Sequence, residues 1–254
     1  MNDYVLPHNL AGEERRLRLM SALLDPLHRE HIERLGLRSG WRCLEIGCGN
    51  GSISKWLAGQ VAPGGEVVAS DIDLRYVAGM AAPNLKIRQL NILEDAVEEG
   101  AYDLVTARAI LHHLPSPEKA LQRMAWAVKP GGVLLSIEPN MLPATAAEPE
   151  PLRAFWQGWL RWSASAGIDY FIGHKMPSLL SRLQLREVGA EGHTAFYNGG
   201  SPWAVYWRET VEELRPKLAG EISEELLLKF DSLYSEPDFW TSAITFVAAW
   251  GRKP

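Results

Sequence analysis

LEIGCGNGSISKWL (residues 44–57) runs from an apolar strand, through one acid and three closely spaced glycines, straight into a helical pattern. Glycine lets the chain turn tightly and leaves backbone amides bare, so a ligand can lie against them. In an open α/β sheet, ligands bind beyond the carboxyl ends of the strands, where strand order switches. The first strand–helix turn is therefore the place to look for one. A dinucleotide turn has the spacing G-x-G-x-x-G and seats a pyrophosphate on the helix N-terminus. Here Gly47, Gly49 and Gly51 follow G-x-G-x-G, and Glu45 precedes them. A carboxylate there repels a pyrophosphate and attracts a cation, whether it acts directly, through water or by bracing the loop. The spacing and the acid together argue against an NAD-binding oxidoreductase and for a cationic ligand.

Around this corner the pattern alternates. WRCLEIG, EVVASDID, LKIRQLNI, YDLVTAR and VLLSIEP read as strands, and SISKWLAGQ, DLRYVAGMAA and PEKALQRMAWAV as helices, the last stopped by KPGG. Repeated strand–helix units predict an α/β fold, a doubly wound parallel sheet with right-handed crossovers. Upstream, residues 12–35 predict an amphipathic helical stretch split in two at Pro26. Downstream the rhythm changes: NMLPATAAEPEP reads as a linker, and LRAFWQGWLRW as an aromatic helix. PSLLSRLQL reads as a short helix, 186–197 as a strand, 203–217 and 221–234 as helices, and ITFVAAWGRK as the last strand.

Composition narrows the function. The 254 residues are 46% apolar and 22% charged, ordinary values for a globular chain long enough for a sizeable core. A formal net charge of −5 disfavours a binder of nucleic-acid backbone, which needs a basic face. The N-terminus shows no apolar signal region, no run is long enough for a membrane span, and two cysteines are too few for a disulfide framework. A reduced, cytoplasmic protein is expected. Seven of the ten tryptophans fall after residue 150, which predicts either a second core beneath a helical cap or an aromatic wall for a greasy substrate.

Asp71 closes the second strand, where an acid can accept bonds from both ribose hydroxyls. With it, the ordered series LEIGCGNG, VVASDID, LNILED, YDLVTARAILHHLP and AVKPGGVLLSIEP resembles the class I S-adenosylmethionine-dependent methyltransferases. The likeness is nearest to small-molecule enzymes of the ubiquinone and menaquinone type. It covers residues 41–140 and, more loosely, the final strand. It implies a Rossmann-like seven-stranded sheet with its last strand antiparallel. Residues 1–38 would form an N-terminal cap segment, 39–140 the cofactor-binding core, and 141–254 the substrate-cap helices and last two strands. The cofactor implied is S-adenosyl-L-methionine, released as S-adenosyl-L-homocysteine.

The resemblance also implies roles by position. Gly47, Cys48 and Gly49, with Gly51 in the same motif and Glu45 beside it, would line the methionine part of the cofactor. Asp71 would take the ribose, and Ile72 would pack on the adenine. Asn91, where an aspartate is common, and the Ile92 amide would face the ring. Arg108 would reach a carboxylate or form an ion pair. Tyr4 and Arg16 (or Arg15) would close over the methionine end.

Methyl transfer from a sulfonium needs alignment, exclusion of water and, for some acceptors, removal of a proton. Candidates for that proton are His112, Glu138 and His174, with His8 a further residue able to close over the site; His113 reads as structural. No metal is expected at the site, because clustered oxygen ligands at the ends of strands four and five are missing. The expected partner is a small, partly apolar acceptor methylated on oxygen, nitrogen or carbon. The rivals are a tRNA or protein methyltransferase, and an enzyme that keeps the cofactor for cyclisation or another non-methyl step.

Overall fold

A computed structural model describes residues 12–254. The elements are, in order, α1 (Glu13–Arg34), β1 (Arg42–Ile46), α2 (Ser52–Val61), β2 (Glu66–Asp71), β3 (Leu85–Gln89) and β4 (Tyr102–Arg108). There follow α3 (Pro117–Ala127), β5 (Val128–Asn140), α4 (Leu142–Thr145), α5 (Glu150–Ser165), α6 (Ile172–Ser181) and β6 (Arg186–Thr194). The chain ends with β7 (Tyr197–Asn198), α7 (Pro202–Leu218), α8 (Glu224–Leu233), β8 (Trp240–Thr241) and β9 (Thr245–Arg252).

The main sheet has seven strands in the order β3-β2-β1-β4-β5-β9-β6. The first five pair in parallel, and β9 inserts antiparallel between β5 and β6. Strand order therefore reverses between β1 and β4, whose carboxyl ends lie side by side. The expected doubly wound α/β sheet with an antiparallel last strand is the one observed. β7 and β8 form a separate two-stranded ribbon.

Because side chains alternate along a strand, the two faces of the sheet feed different cores. Cys43, Leu104, Val133 and Leu135 pack with Ile53 and Leu57 of α2 and with the aromatic residues of α5 and α7. Leu44, Ile46, Val105 and Leu134 pack with Met124 of α3 and with Ile172, Met176 and Leu180 of α6. No helix among the described residues is long and apolar enough to cross a membrane. Cys43 and Cys48 are both free and buried.

Four expectations about elements need correction. α1 is one helix with Pro26 inside it, not two. Proline removes one backbone bond there, but the flanking turns are held from outside. Asp25 accepts from the Ser52 hydroxyl at 3.0 Å and from Arg108 at 2.8 Å, and His28 Nε2 lies 2.7 Å from Thr106 Oγ1. The segment DLRYVAGMAA, in turn, forms consecutive turns and no helix. The Asp73 side chain accepts from the amide two residues on, Arg75 N, at 3.0 Å, an Asx turn that competes with helical bonding. Isolated turns close afterwards, with Val77 N and Ala78 N donating to Leu74 O at 3.0 and 2.8 Å and Met80 N to Val77 O at 2.9 Å. The linker stretch carries the short helix α4, and α6 begins earlier than its sequence pattern suggested, at Ile172.

The aromatic helix α5 belongs to the core. Phe155, Trp156 and Trp159 have no exposed surface. Trp156 meets Trp207 edge to face at 4.9 Å, and Phe155 stacks on Phe230 at 4.2 Å, so that α5, α7 and α8 share one aromatic cluster. Trp159→Ala is expected to lower unfolding free energy by ~3–5 kcal/mol, the cost of a large core truncation, as read from urea denaturation. A loss below about 1 kcal/mol would show that Trp159 is not part of that core.

Candidate active site

A cavity of about 440 Å³ opens at the carboxyl ends of β1 to β5, at the point where strand order reverses. Its floor is the turn after β1. Gly47 there has φ of +68°, and a Cβ on it would lie 2.1 Å from Ile110 Cδ1, so only glycine lets the first and fourth turns close on each other. Gly49 donates its amide to Asp71 Oδ2 at 2.9 Å, and Asp71 Oδ1 accepts from Asp73 N at 3.2 Å. The Asp71 carboxylate thus ties the first turn to the second.

Acid groups face the cavity from below. Glu45 is buried and accepts a short bond from the Ser54 hydroxyl of α2. Burial pushes its carboxyl up to about 7, against the Ser54 bond and the Arg108 charge and with help from Asp25. The Cys48 thiol is raised by burial and then by the Glu45 and Asp71 charges, so it stays a neutral wall group and not a nucleophile.

α1 covers the cavity, presenting Arg16, Leu17, Met20 and Ser21 to it. Arg16 is buried and forms two bonds with the fully buried Glu13, at 2.7 and 2.8 Å. Arg15 is not in the cavity lining, and its guanidinium pairs with Glu209 of α7 at 2.6 Å. Glu213 of α7 accepts from Gly12 N at 3.1 Å, a second tie between the cover and the cap. Arg108 lines the cavity while paired with Asp25, so the ion pair is what the structure shows for it.

The turn after β4 is built around one carboxylate. Glu138 has no exposed surface and accepts from Ile110 N, Leu111 N and His112 N at 3.1, 3.0 and 3.3 Å. It also lies 3.1 Å from His112 Nδ1 and accepts from the Ser136 hydroxyl at 3.2 Å. Just before this turn Ala109 takes φ of +54°, a left-handed conformation that non-glycine residues keep only where surroundings impose it. The His112 ring packs on His113 at 3.8 Å and near Tyr170 at 5.4 Å. His113 is held neutral by burial, then by its neighbours His112 and Arg16.

Most of the expected residues converge on this cavity. Arg16, Glu45, Gly47, Cys48, Gly49, Asp71, Ile72, Asn91, Ile92, Arg108 and His112 all line it. Asn91 Oδ1 already accepts from Leu93 N at 3.0 Å, and Asn91 N donates to Asp95 at 2.7 Å. Three expectations are corrected. Gly51 is not in the wall; its amide closes a turn onto Cys48 O at 2.8 Å, and it packs against Met80. Glu138 stands behind His112 and does not face the cavity. His174 is exposed on α6, away from the wall. Tyr4 and His8 lie outside the described residues. The aromatic wall is also not α5: Tyr170, Tyr206, Trp207 and Phe246 supply it, with Ile244 between.

A family model for a methyltransferase domain matches residues 13–189. The chain belongs to the class I S-adenosylmethionine-dependent methyltransferases. Among curated relatives, the ubiquinone biosynthesis O-methyltransferase of Cronobacter sakazakii is 35% identical over 117 residues, covering 43% of this chain and 47% of that protein. That of Bordetella avium is 32% identical over 114 residues, again 43% and 47%. The chain thus spans about half the length of the relatives it matches. The structure of Haemonchus contortus phosphoethanolamine N-methyltransferase 2, with phosphomonomethylethanolamine and S-adenosylhomocysteine, superimposes with a TM-score of 0.58 at 15% identity. That match covers 95% of this chain and 52% of the nematode protein, and shows a shared fold.

The raised Glu45 carboxyl has a consequence for stability. An unfolded glutamate ionises near ~4.3, whereas the native group holds its proton up to about 7. Between those values the native state binds more protons, so this group's contribution falls as pH rises and levels off above 7. Glu45→Gln is expected to remove that part of the decline, read as a difference in urea midpoints between pH 5 and pH 8. An identical pH dependence in both proteins would show that Glu45 ionises normally.

Proposed function

We propose that the protein transfers the methyl group of S-adenosylmethionine to a hydroxyl oxygen of a small, partly aromatic acceptor, in the cytoplasm. The residues at the strand ends suit that cofactor. Gly47 makes a cradle that a Cβ would fill, Glu45 and Asp71 supply carboxyl groups that a cation would favour in their ionised form, and Ile72 and Ile92 give two apolar surfaces at the rim. When bound, the cofactor supplies an electrophilic methyl carbon on a positively charged sulfur.

In this reading Asp71 accepts from the ribose hydroxyls, its plane fixed by the bonds from Gly49 and Asp73. Ile72 and Ile92 hold the adenine, with Asn91 at its edge. Gly47, Cys48 and Gly49 present backbone to the amino-acid end, near Glu45 and Arg16. α1 closes above and excludes water. Arg108, neutralised by Asp25, lines the cavity without adding net charge next to a cation.

The observation that carries the choice of oxygen is the His112–Glu138 pair. Glu138 fixes the turn by its backbone bonds and faces His112 Nδ1 at 3.1 Å. A proton on Nδ1, donated to that carboxylate, leaves Nε2 as the basic nitrogen. A phenolic hydroxyl, of ordinary pKa near ~10, is neutral at pH 7 and gains from a base that takes its proton as the methyl arrives. Tyr170, Tyr206, Trp207 and Phe246 then offer ring faces to an aromatic acceptor. The names of the curated relatives, O-methyltransferases, support the same atom.

Incubation with methyl-labelled S-adenosylmethionine and a panel of catechols, phenols and matching anilines tests this. Label is expected in the hydroxyl compounds. His112→Gln is expected to lower kcat by ~10²–10⁴ with cofactor affinity retained. Label in anilines alone, or an unchanged kcat in His112→Gln, would contradict the oxygen chemistry. Cofactor binding with no transfer to any acceptor would favour a non-methyl reaction.

A further inference from the structure

Outside the cavity lining, α1 meets the sheet's edge strand β6 through three metal-ligating side chains. His31 Nε2 and His193 Nε2 are 2.9 Å apart. Glu191 Oε2 lies 3.9 Å from His31 Nε2 and 3.8 Å from His193 Nε2. Glu191 and His193 are two apart on β6, and so share one face of the strand. His31 reaches them from the last turn of α1 and is 1% exposed. None of the three lines the cavity. We propose that His31, Glu191 and His193 bind a divalent transition-metal ion of the zinc type, which fastens α1 to β6.

The distances suit such an ion. Zinc takes imidazole nitrogen at about 2.0–2.1 Å and carboxylate oxygen at about 2.0–2.2 Å in a tetrahedron, whose edges are then about 3.3 Å long. The three measured separations bracket that edge, and movements of about half an ångström bring the atoms to it. Two imidazoles and one carboxylate form a donor set of the kind zinc uses with a water in the fourth position. His193 and Glu191 are both partly exposed, so water has access to that position.

The surroundings support ligation. Arg34 donates to Glu191 Oε2 at 2.8 Å and to Oε1 at 2.6 Å, which orients the carboxylate as outer hydrogen-bond partners do in metal sites. Each carboxylate oxygen has about two lone pairs, so Oε2 can accept from Arg34 and still bind a cation. Glu30, 3.9 Å from Arg34, offsets part of the guanidinium charge. The Trp250 ring lies 5.7 Å from the His31 ring and forms an apolar wall on the buried side. The ion would hold the far end of the helix whose first turns cover the cavity, so its role is structural.

Titration of the full chain with Co²⁺, and then with Zn²⁺ in competition, tests the site. One Co²⁺ per chain is expected, with the intense visible bands of four-coordinate cobalt, displaced by Zn²⁺. Zn²⁺ at a hundredfold excess over Kd is expected to raise Tm by about 5 °C. His193→Ala, at a partly exposed position where folding is not at risk, is expected to weaken binding at least tenfold and abolish the Tm rise. Glu191→Gln is expected to do so in part, and His174→Ala, at an exposed histidine elsewhere, to change nothing. No saturable binding, or equal affinity in His193→Ala, would overturn the proposal and leave a hydrogen-bonded histidine pair. Binding of S-adenosylmethionine by the same samples is independent of either result.

Discussion

The bond from the Gly49 amide to the Asp71 carboxylate holds the first two strand ends together, and the rest of the site is arranged around it. It requires the chain to turn back at Gly47, within reach of Ile110, where no side chain fits. It also requires Asp71 to sit at the end of β2, in register with its parallel neighbours. Once both conditions hold, the rim between β1 and β4 becomes a pocket with bare backbone on one side and acid on the other. A charge-assisted bond of this kind is stronger than a neutral one.

Charge inside the pocket is arranged by pairing. Arg16 is set against Glu13, and Arg108 against Asp25, so the two buried cations bring their own counter-ions. Glu45 accepts from the Ser54 hydroxyl, and burial outweighs that bond and the Arg108 charge, so the carboxyl holds its proton up to about 7. A cationic ligand would favour the ionised form of Glu45 and so gain from that carboxylate. The same helix α1 carries Arg16 and Asp25, so one element both covers the cavity and brings these paired charges to its wall. Ties from Arg15 and from Gly12, just before the helix, link that cover to α7 on the aromatic side of the pocket.

The glycine corner and Asp71 were legible because they are local: each depends on residues near one another in the chain, and the repeated strand–helix units announced the doubly wound sheet. Pro26 misled because the helix around it is held by Ser52, Arg108 and Thr106, partners that sequence distance conceals. DLRYVAGMAA has helical composition, yet the Asp73 carboxylate captures a backbone amide first. The aromatic wall of the cavity was the hardest to read. Tyr170, Tyr206 and Phe246 come from three separated segments, and their aromatic character resembles that of Trp156 and Trp159, which the structure buries. Glu138 was found as a strand-end acid, but its five bonds, and hence its service to His112, depend on the turn after β4.

The central claim is that the corner at residues 47–49 holds a sulfonium cofactor. Calorimetric titration of the protein with S-adenosylmethionine and S-adenosylhomocysteine, with NADH as control, tests it most directly. The account predicts saturable one-to-one binding of the first two and none of NADH. Binding of NADH with comparable affinity, or no binding of either sulfur compound, would contradict it.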